Sequence, residues 1–256
     1  MTNVWILAKK ELRSYFASPI AYIVLAMFAI IFGYFFYSAT AIFVDYSMRA
    51  MMQRGGAPPM NINDFIIRPL LMNVSVIVLF FLPMVTMRLF AEEKRMGTIE
   101  LLLTSPLRDV EIILGKWLAA LLLYGCLLGV SALNMVFLFI HGKPDWRPVL
   151  VGYLGLLLLG ASFLAIGAFI SSLTKNQIVA AALTFGVFLM LWVLDWVSSY
   201  NPSTSGKVIA YLSITTHLEP FAKGVLELKD ALYYLSVIFL GLFLTLRSME
   251  SLRWRA

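Results

Sequence analysis

The chain is constrained most by six long apolar runs, each close to the length that a helix needs to cross a lipid bilayer. A bilayer core about 30 Å thick requires roughly 20 apolar residues in an α-helix. The runs are continuous rather than alternating in polarity, so they predict helices and not the strands of a membrane barrel. Their bounds are 20–44, 70–90, 117–140, 148–170, 178–197 and 231–246. The last run, 16 residues long, is short for a span.

Composition agrees with a chain that meets lipid on most sides. Hydrophobic residues make up 61% and charged residues 13%, against roughly 45–50% and 25% in soluble domains. These values exclude a soluble enzyme and a disordered chain. The single cysteine, Cys126, excludes a disulfide framework, and the two histidines, His141 and His217, lack the spacing of a zinc site. We therefore expect an all-α membrane protein without a metal site.

The distribution of basic residues predicts the topology. Lys9, Lys10 and Arg13 precede an apolar run that is too long for a cleavable signal, so the run is read as a retained anchor. Six spans place both termini on one side. With the N-terminus in the cytoplasm, the inner segments hold 12 of the 20 lysines and arginines. This bias predicts a multi-pass protein with both termini cytoplasmic, and it leaves no reason to expect nucleic-acid binding.

Residues 2–18 show a helical pattern ahead of the first span. Trp5, Ala8 and Leu12 recur at spacings of three and four, and the basic residues fill the other face. This pattern predicts an amphipathic helix lying in the membrane interface. A plain positive flank of the first span fits equally well, and the pattern does not decide between the two.

The densest charge cluster lies between the second and third runs, at residues 91–116. Gly97 is expected to break the preceding helix. A short amphipathic helix should follow, with Met96, Ile99, Leu102 and Leu103 on one face, and Ser105-Pro106 should end it. Pro106 can then begin the next helix. The short helix either rests on lipid or docks a soluble partner, and the pattern alone favours lipid.

A second polar segment, 198–230, separates the fifth and sixth runs. Its turn-rich stretch, 201–207, is followed by a moderately apolar stretch that Pro220 and Gly224 interrupt. A helix–break–helix hairpin that re-enters the outer leaflet and an ordinary surface loop both fit. Gly125 and Gly129 form a G-x-x-x-G in the third run, which permits close helix approach within the chain or across a dimer.

The 91–116 segment resembles the signature of type-2 ATP-binding-cassette (ABC-2) permeases, E-x-x-x-G-T-x-E-x-L-L-x-x-P. The matching residues are Glu93, Gly97, Thr98, Glu100, Leu102, Leu103 and Pro106, with the continuation at Glu111, Gly115 and Lys116. Residues 215–234 resemble the gliding-motility-associated branch of these permeases. The resemblance covers essentially the whole chain.

This resemblance implies one ABC-2 transmembrane domain, 1–256, with six helices, an interfacial N-terminal helix and outer re-entrant helices. It also implies a coupling region at 91–110, in which residues 97–104 form a cytoplasmic coupling helix. The residues it assigns to contact with the ATPase include Glu92, Glu93, Lys94, Arg95 and Glu100.

The same resemblance implies the partners and the location. They are two copies of a separate ATPase that carries ATP and magnesium, a second permease copy or a related permease, and an auxiliary membrane protein with an outer domain. The location is a bacterial-type inner membrane, and export is the expected direction.

The sequence itself contains no G-x-x-x-x-G-K-[ST], so it cannot hold ATP phosphates by that route. It also lacks the paired residues of an intramembrane enzyme. We therefore expect no cofactor and no catalysis in this chain. Two functions remain open, namely an ATP-driven exporter and a mechanical scaffold that the same kind of ATPase drives without moving a solute.

Overall fold

The computed structural model describes residues 2–52, 61–104, 106–200 and 210–253. Across these ranges the chain is helical without a strand, and six helices are long and apolar enough to cross a membrane. The prediction of an all-α membrane protein is therefore confirmed. The turn-rich stretch 201–207 and Ser105, both used in the sequence interpretation, lie outside the described residues.

The described elements are all helical. In chain order they are α1 (Thr2–Ala17), α2 (Pro19–Met52), a π-helical turn (Asn63–Ile67) that leads directly into α3 (Arg68–Thr86), α4 (Ala91–Met96), α5 (Ile99–Leu103), α6 (Asp109–His141), α7 (Trp146–Leu173), α8 (Gln177–Tyr200), α9 (Leu218–Ala222) and α10 (Leu228–Arg253).

The helices extend beyond the apolar runs that predicted them. Helix α6 begins at Asp109, because the backbone N–H of Arg108 donates to the Glu111 carboxylate at 3.0 Å and closes the first turn. Pro106, expected to begin this helix, therefore precedes it. Helix α10 has 26 residues where its apolar run has 16, since the helix continues through polar turns that include the Arg247–Glu250 ion pair.

Helix α7 is the packing centre of the chain. It contacts α3, α6, α8, α9 and α10, and small residues bring these neighbours close. A Cβ added to Gly160 would lie 2.1 Å from the Tyr124 ring of α6, and one added to Gly155 would lie 2.5 Å from Phe221 of α9. By contrast, α8 and α10 are largely exposed in the single chain. Tight packing in membranes depends on small residues of this kind.

The connections form two polar ends of the bundle. One end, here called the N-terminal end, gathers α1, α4, α5, the start of α6 and the ends of α7 and α10, where the Ser248 hydroxyl donates to the carbonyl oxygen of Ser172 at 3.3 Å. The opposite end gathers the α6–α7 connection, the start of α3 and residues 210–227. There the Asn63 amide bonds both the carbonyl oxygen and the backbone N–H of Asp145, each at 3.0 Å.

Candidate functional site

The predicted coupling segment folds as two short helices separated by one glycine. Helix α4 ends at Gly97, whose φ of 72° lies in the left-handed region that favours glycine. The chain then turns and enters α5, which ends with Leu103. The hydroxyl of Thr98 donates to the carbonyl oxygen of Glu93 at 3.4 Å and spans the break. The Gly-Thr pair of the sequence motif therefore forms the turn between the two helices.

Helix α5 divides its side chains between the bundle and the surroundings. Ile99 and Leu102 pack against the core, whereas Glu100 is exposed and Leu101 is 73% exposed. Met96, expected on the same face as Leu102, is instead 61% exposed. The reason is the Gly97 break, which ends the helical register between them. An acidic and a large apolar side chain are thus exposed at neighbouring positions of α5, and Leu101 also borders the space between α1 and this segment.

Ser171, near the end of α7, holds the start of α4 in place. Its hydroxyl oxygen accepts the backbone N–H groups of Phe90 and Ala91, each at 3.1 Å, and donates to the carbonyl oxygen of Met87 at 3.3 Å. The first N–H groups of a helix lack partners within the helix, so a side chain from α7 supplies the cap. The Lys94 ammonium also donates to the carbonyl oxygen of Ser172.

Lys116 joins three helices at the N-terminal end. Although it is only 2% exposed, its ammonium lies 2.7 Å from Glu93 of α4 and 3.4 Å from Glu11 of α1. The ammonium also stands 5.7 Å from the centre of the Phe90 ring. A buried charge is tolerated only when it is paired. The side chains of Lys116, Glu93 and Glu11, here called the Lys116 cluster, therefore fix α1 and α4 to the start of α6.

Helix α1 packs against protein along part of its apolar face. Leu7 and Ala8 are buried, and a Cβ added to Gly115 of α6 would lie 2.8 Å from Leu7 Cδ2. Trp5, expected on the same face, is 57% exposed. One part of the apolar face predicted for α1 thus packs against α6, and another part is exposed on the outside of the molecule.

A cavity of about 860 Å³ separates α1 from the coupling segment. Its lining includes Arg88 and Glu92 together with the Lys116 cluster. Tyr15 also lines it, and burial together with the nearby carboxylates of Glu11, Glu92 and Glu93 raises the pKa of its hydroxyl well above its usual value. The phenol is therefore a hydrogen-bond donor at any physiological pH. Arg95 is exposed and does not line this cavity.

The opposite end carries a buried histidine–aspartate pair that the sequence interpretation did not anticipate. Nδ1 of His217 lies 2.6 Å from Asp230 Oδ1, and Nε2 lies 2.9 Å from the carbonyl oxygen of Tyr211. Because a carbonyl only accepts, Nε2 must donate. The bond at Nδ1 then needs a second proton, held by the ring or by the carboxyl group. The ring of Tyr233 stacks on His217 at 3.9 Å.

Charged side chains also fix α9 beside this pair. Glu219 lies 2.6 Å from Arg68 at the start of α3 and 2.9 Å from Lys223. The hydrogen bond from Lys223, reinforced by Arg68, holds the pKa of Glu219 below its usual value. Pro220 lies within α9 and does not interrupt it, whereas Gly224, at φ 80°, ends the turn that follows.

Among the residues that the structure describes, no other helix lies against the two glycines predicted for helix packing. A Cβ added to Gly125 or Gly129 would meet nothing within 4 Å. They lie on the same side of α6 as the exposed side chains of Cys126, Leu133 and Ile140. This face of α6 is open in the single chain.

Comparison with protein families identifies the chain. The model of the ABC-2 family transporter proteins matches residues 5–246, nearly the whole length. No curated protein matches the chain. Members of this family are multi-pass membrane subunits that are not themselves catalytic and work with an ATP-binding subunit. The chain therefore belongs to the ABC-2 family, and it is a membrane permease subunit of an ABC transporter.

Proposed function

We propose that this permease is the membrane half of an exporter and that α5 is the coupling helix through which a separate ATPase drives it. The observation that carries the proposal is the exposed pair Glu100 and Leu101 on a helix that is otherwise anchored. A lone surface leucine needs no explanation. Here it stands beside a carboxylate on a five-residue helix whose Ile99 and Leu102 pack against the core. The preceding helix, α4, is tied to α6 and α7 by buried contacts.

The anchoring supports transmission of a movement. Force applied to α5 passes through α4 to Ser171 on α7, and through Glu93 to Lys116 on α6. Helix α7 in turn contacts four other membrane helices. A rigid path of this kind lets a closing ATPase move packed spans. A helix that only rested on lipid would have no need of these buried polar anchors.

In the proposed assembly, two ATPase copies bind ATP and magnesium beneath a pair of permeases in a bacterial inner membrane. The N-terminal end then faces the cytoplasm, with both termini there, and the α9 segment forms the outer re-entrant region. The open face of α6 around Gly125 and Gly129 suits a second permease copy, because small residues allow close approach. The few polar side chains within the spans suit a lipophilic or amphipathic cargo.

The test uses the permease with the ATPase that co-purifies with it in mild detergent, reconstituted in vesicles. Leu101→Ser and Glu100→Lys should each lower ATPase retention or permease-stimulated ATP hydrolysis by about tenfold, the effect of losing a central interface contact of roughly 1.4 kcal/mol. Leu173→Ser is the matched control, since Leu173 is 59% exposed at the same end but lies off α5. Wild-type retention and hydrolysis in both α5 variants would overturn the proposal.

The alternative, a force-transmitting membrane scaffold that moves no solute, shares this ATPase coupling. It differs in what the movement does, because it predicts ATP hydrolysis without solute flux and an auxiliary outer protein in the complex. Flux of a lipophilic cargo that depends on ATP and is lost in Leu101→Ser would favour the exporter.

A further inference from the structure

The cavity beneath α1 has a polar zone and an apolar zone. The apolar zone is lined by buried residues of three membrane helices, Ala21, Val24, Val85 and Leu123. The polar zone is lined by Lys10 and Ser14 of α1, by Ser18 directly after it, by Arg88 in the connection between α3 and α4, and by Glu92 of α4. An amphiphile with a polar head and a hydrocarbon chain matches this division.

Within the described residues, the polar zone leaves one cation and one anion without an ion pair. The Lys116 ammonium is engaged by Glu11 and Glu93, and Lys10 lies 4.0 Å from Glu11. Arg88 and Glu92 form no ion pair with any residue that the structure describes, and the buried Nε of Arg88 has no hydrogen-bond partner there. A buried N–H donor of this kind requires an acceptor.

Arg88 and Glu92 are four residues apart in the chain, and both line the cavity together with Tyr15. Tyr15 and Arg88 are donors, whereas the Glu92 carboxylate is an acceptor. Together they suit a headgroup that carries an anion and an ammonium a few bonds apart. A purely anionic headgroup would satisfy Arg88 but would meet the Glu92 carboxylate with like charge.

Part of the rim of the cavity is apolar, whereas the exposed residues Asn3, Lys10 and Ser14 also line the cavity. Met84, within the second span, is 45% exposed, and Ile6 of α1 is 61% exposed. Both residues line the cavity. The apolar part of the rim is suited to contact with lipid, and the polar part is suited to the membrane interface. The volume of about 860 Å³ is within the usual range for small-molecule sites, roughly 300–1,000 Å³.

We propose that this cavity binds one ethanolamine phospholipid from the leaflet on the side of the N-terminal end. Arg88 holds the phosphate, with Tyr15 and Ser14 as further donors. Glu92 accepts hydrogen bonds from the primary ammonium, and an acyl chain fills the zone lined by Val24, Val85 and Leu123. Hydrogen bonds in which the donor or the acceptor is charged are stronger than hydrogen bonds between neutral groups. The bound lipid joins α1 to the coupling segment, and its binding does not depend on the ATPase.

The test measures lipid retained by the full chain after purification from nanodiscs that contain equal parts of phosphatidylethanolamine, phosphatidylglycerol and phosphatidylcholine. Native mass spectrometry should show one retained phosphatidylethanolamine per chain. Arg88→Gln should lower retention of all three lipids by about tenfold or more, because it removes the phosphate contact. Glu92→Gln should abolish the preference for ethanolamine but leave phosphatidylglycerol binding intact.

Arg13→Gln is the matched control, since Arg13 is exposed on α1 and does not line the cavity. It should bind lipid as the wild type does. Val24→Phe, which fills the apolar zone without a change of charge, should also reduce retention, and the thermal unfolding of each variant shows whether it is folded.

Three results would overturn the proposal. The first is retention in Arg88→Gln equal to that in the wild type, and the second is equal retention of the three headgroups. The third is a complex with the ATPase that holds no lipid and dissociates on Arg88→Gln, which would assign the cavity to the ATPase.

Discussion

Replacing Lys116 by methionine should destabilise the N-terminal end of the bundle. The ammonium of Lys116 lies between the carboxylates of Glu11 and Glu93, whose side chains are 15% and 17% exposed. Methionine keeps most of the volume of lysine but removes its charge. The two carboxylates are then left partly buried without a counter-charge, and Glu93 Oε2 already lacks a partner among the described residues.

The magnitude follows from this burial. Removing one partner of a buried ion pair costs about 3–5 kcal/mol, because the remaining charge is uncompensated. At roughly 2–4 °C per kcal/mol for a chain of this size, the unfolding temperature should fall by about 6–20 °C. Lys9 is the matched control, since it is exposed on α1, and Lys9→Met should change stability by no more than about 0.5 kcal/mol.

The assay is thermal unfolding of the purified chain in one mild detergent, followed by circular dichroism. A third variant isolates the charge effect, namely Lys116→Met combined with Glu11→Met and Glu93→Met. Replacing a whole buried ionic cluster by apolar residues is often neutral or stabilising, so this variant should recover most of the lost stability. The reasoning is refuted if Lys116→Met costs less than about 1 kcal/mol, or if the triple variant is as unstable as the single one.

Three further perturbations test other parts of the structure. Ser171→Ala should cost about 1–3 kcal/mol and speed hydrogen exchange at residues 87–96, because the N–H groups of Phe90 and Ala91 lose their acceptor. Ser172→Ala should have little effect, since among the described residues the Ser172 hydroxyl bonds the carbonyl oxygen of Phe169 in its own helix. Gly160→Ala should cost about 1–3 kcal/mol in thermal unfolding, because its Cβ would meet the Tyr124 ring at 2.1 Å; the same change at Gly125, in open space, should not destabilise the chain. Lys223 and Arg68 lower the pKa of Glu219 in the folded chain. The ionised carboxylate therefore stabilises the fold above the unfolded pKa of about 4.3, and this stabilisation is lost as the pH falls through the folded pKa. Acidification should speed hydrogen exchange in α9, and Glu219→Gln should remove this pH dependence.

The sequence pattern predicted the architecture because every helix that crosses the bilayer needs an apolar run about as long as the bilayer core is thick. The apolar runs located all six membrane helices, and Gly97 located the break between α4 and α5. Helix ends were less predictable, since α6 begins eight residues before its apolar run. The first turns of α6 are polar, and Glu111 and the Lys116 cluster stabilise them. A hydropathy pattern does not detect such polar contacts.

The contacts that define the candidate site could not be read from the sequence. Lys116 has the pattern of an ordinary basic flank, yet it is buried because Glu11 and Glu93 come to it from other helices. Ser171 is one of several serines at the end of an apolar run, and its partners lie about 80 residues away. The pairing of His217 with Asp230 likewise depends on how the chain turns back at Gly224. Of these residues, only Glu93 and Lys116 match the family motif, and the motif does not indicate that their side chains form an ion pair.

The measurement that tests the central claim most directly is site-specific photo-cross-linking from α5 in the assembled complex. A photoreactive amino acid at position 101, in membranes that contain the permease and its co-purifying ATPase, should yield a permease–ATPase adduct. The same probe at position 140, which is exposed at the opposite end of α6, should yield none. An adduct from position 101 is the result that the account predicts. If position 101 labels only lipid while the ATPase remains bound to the complex, α5 is not the coupling helix.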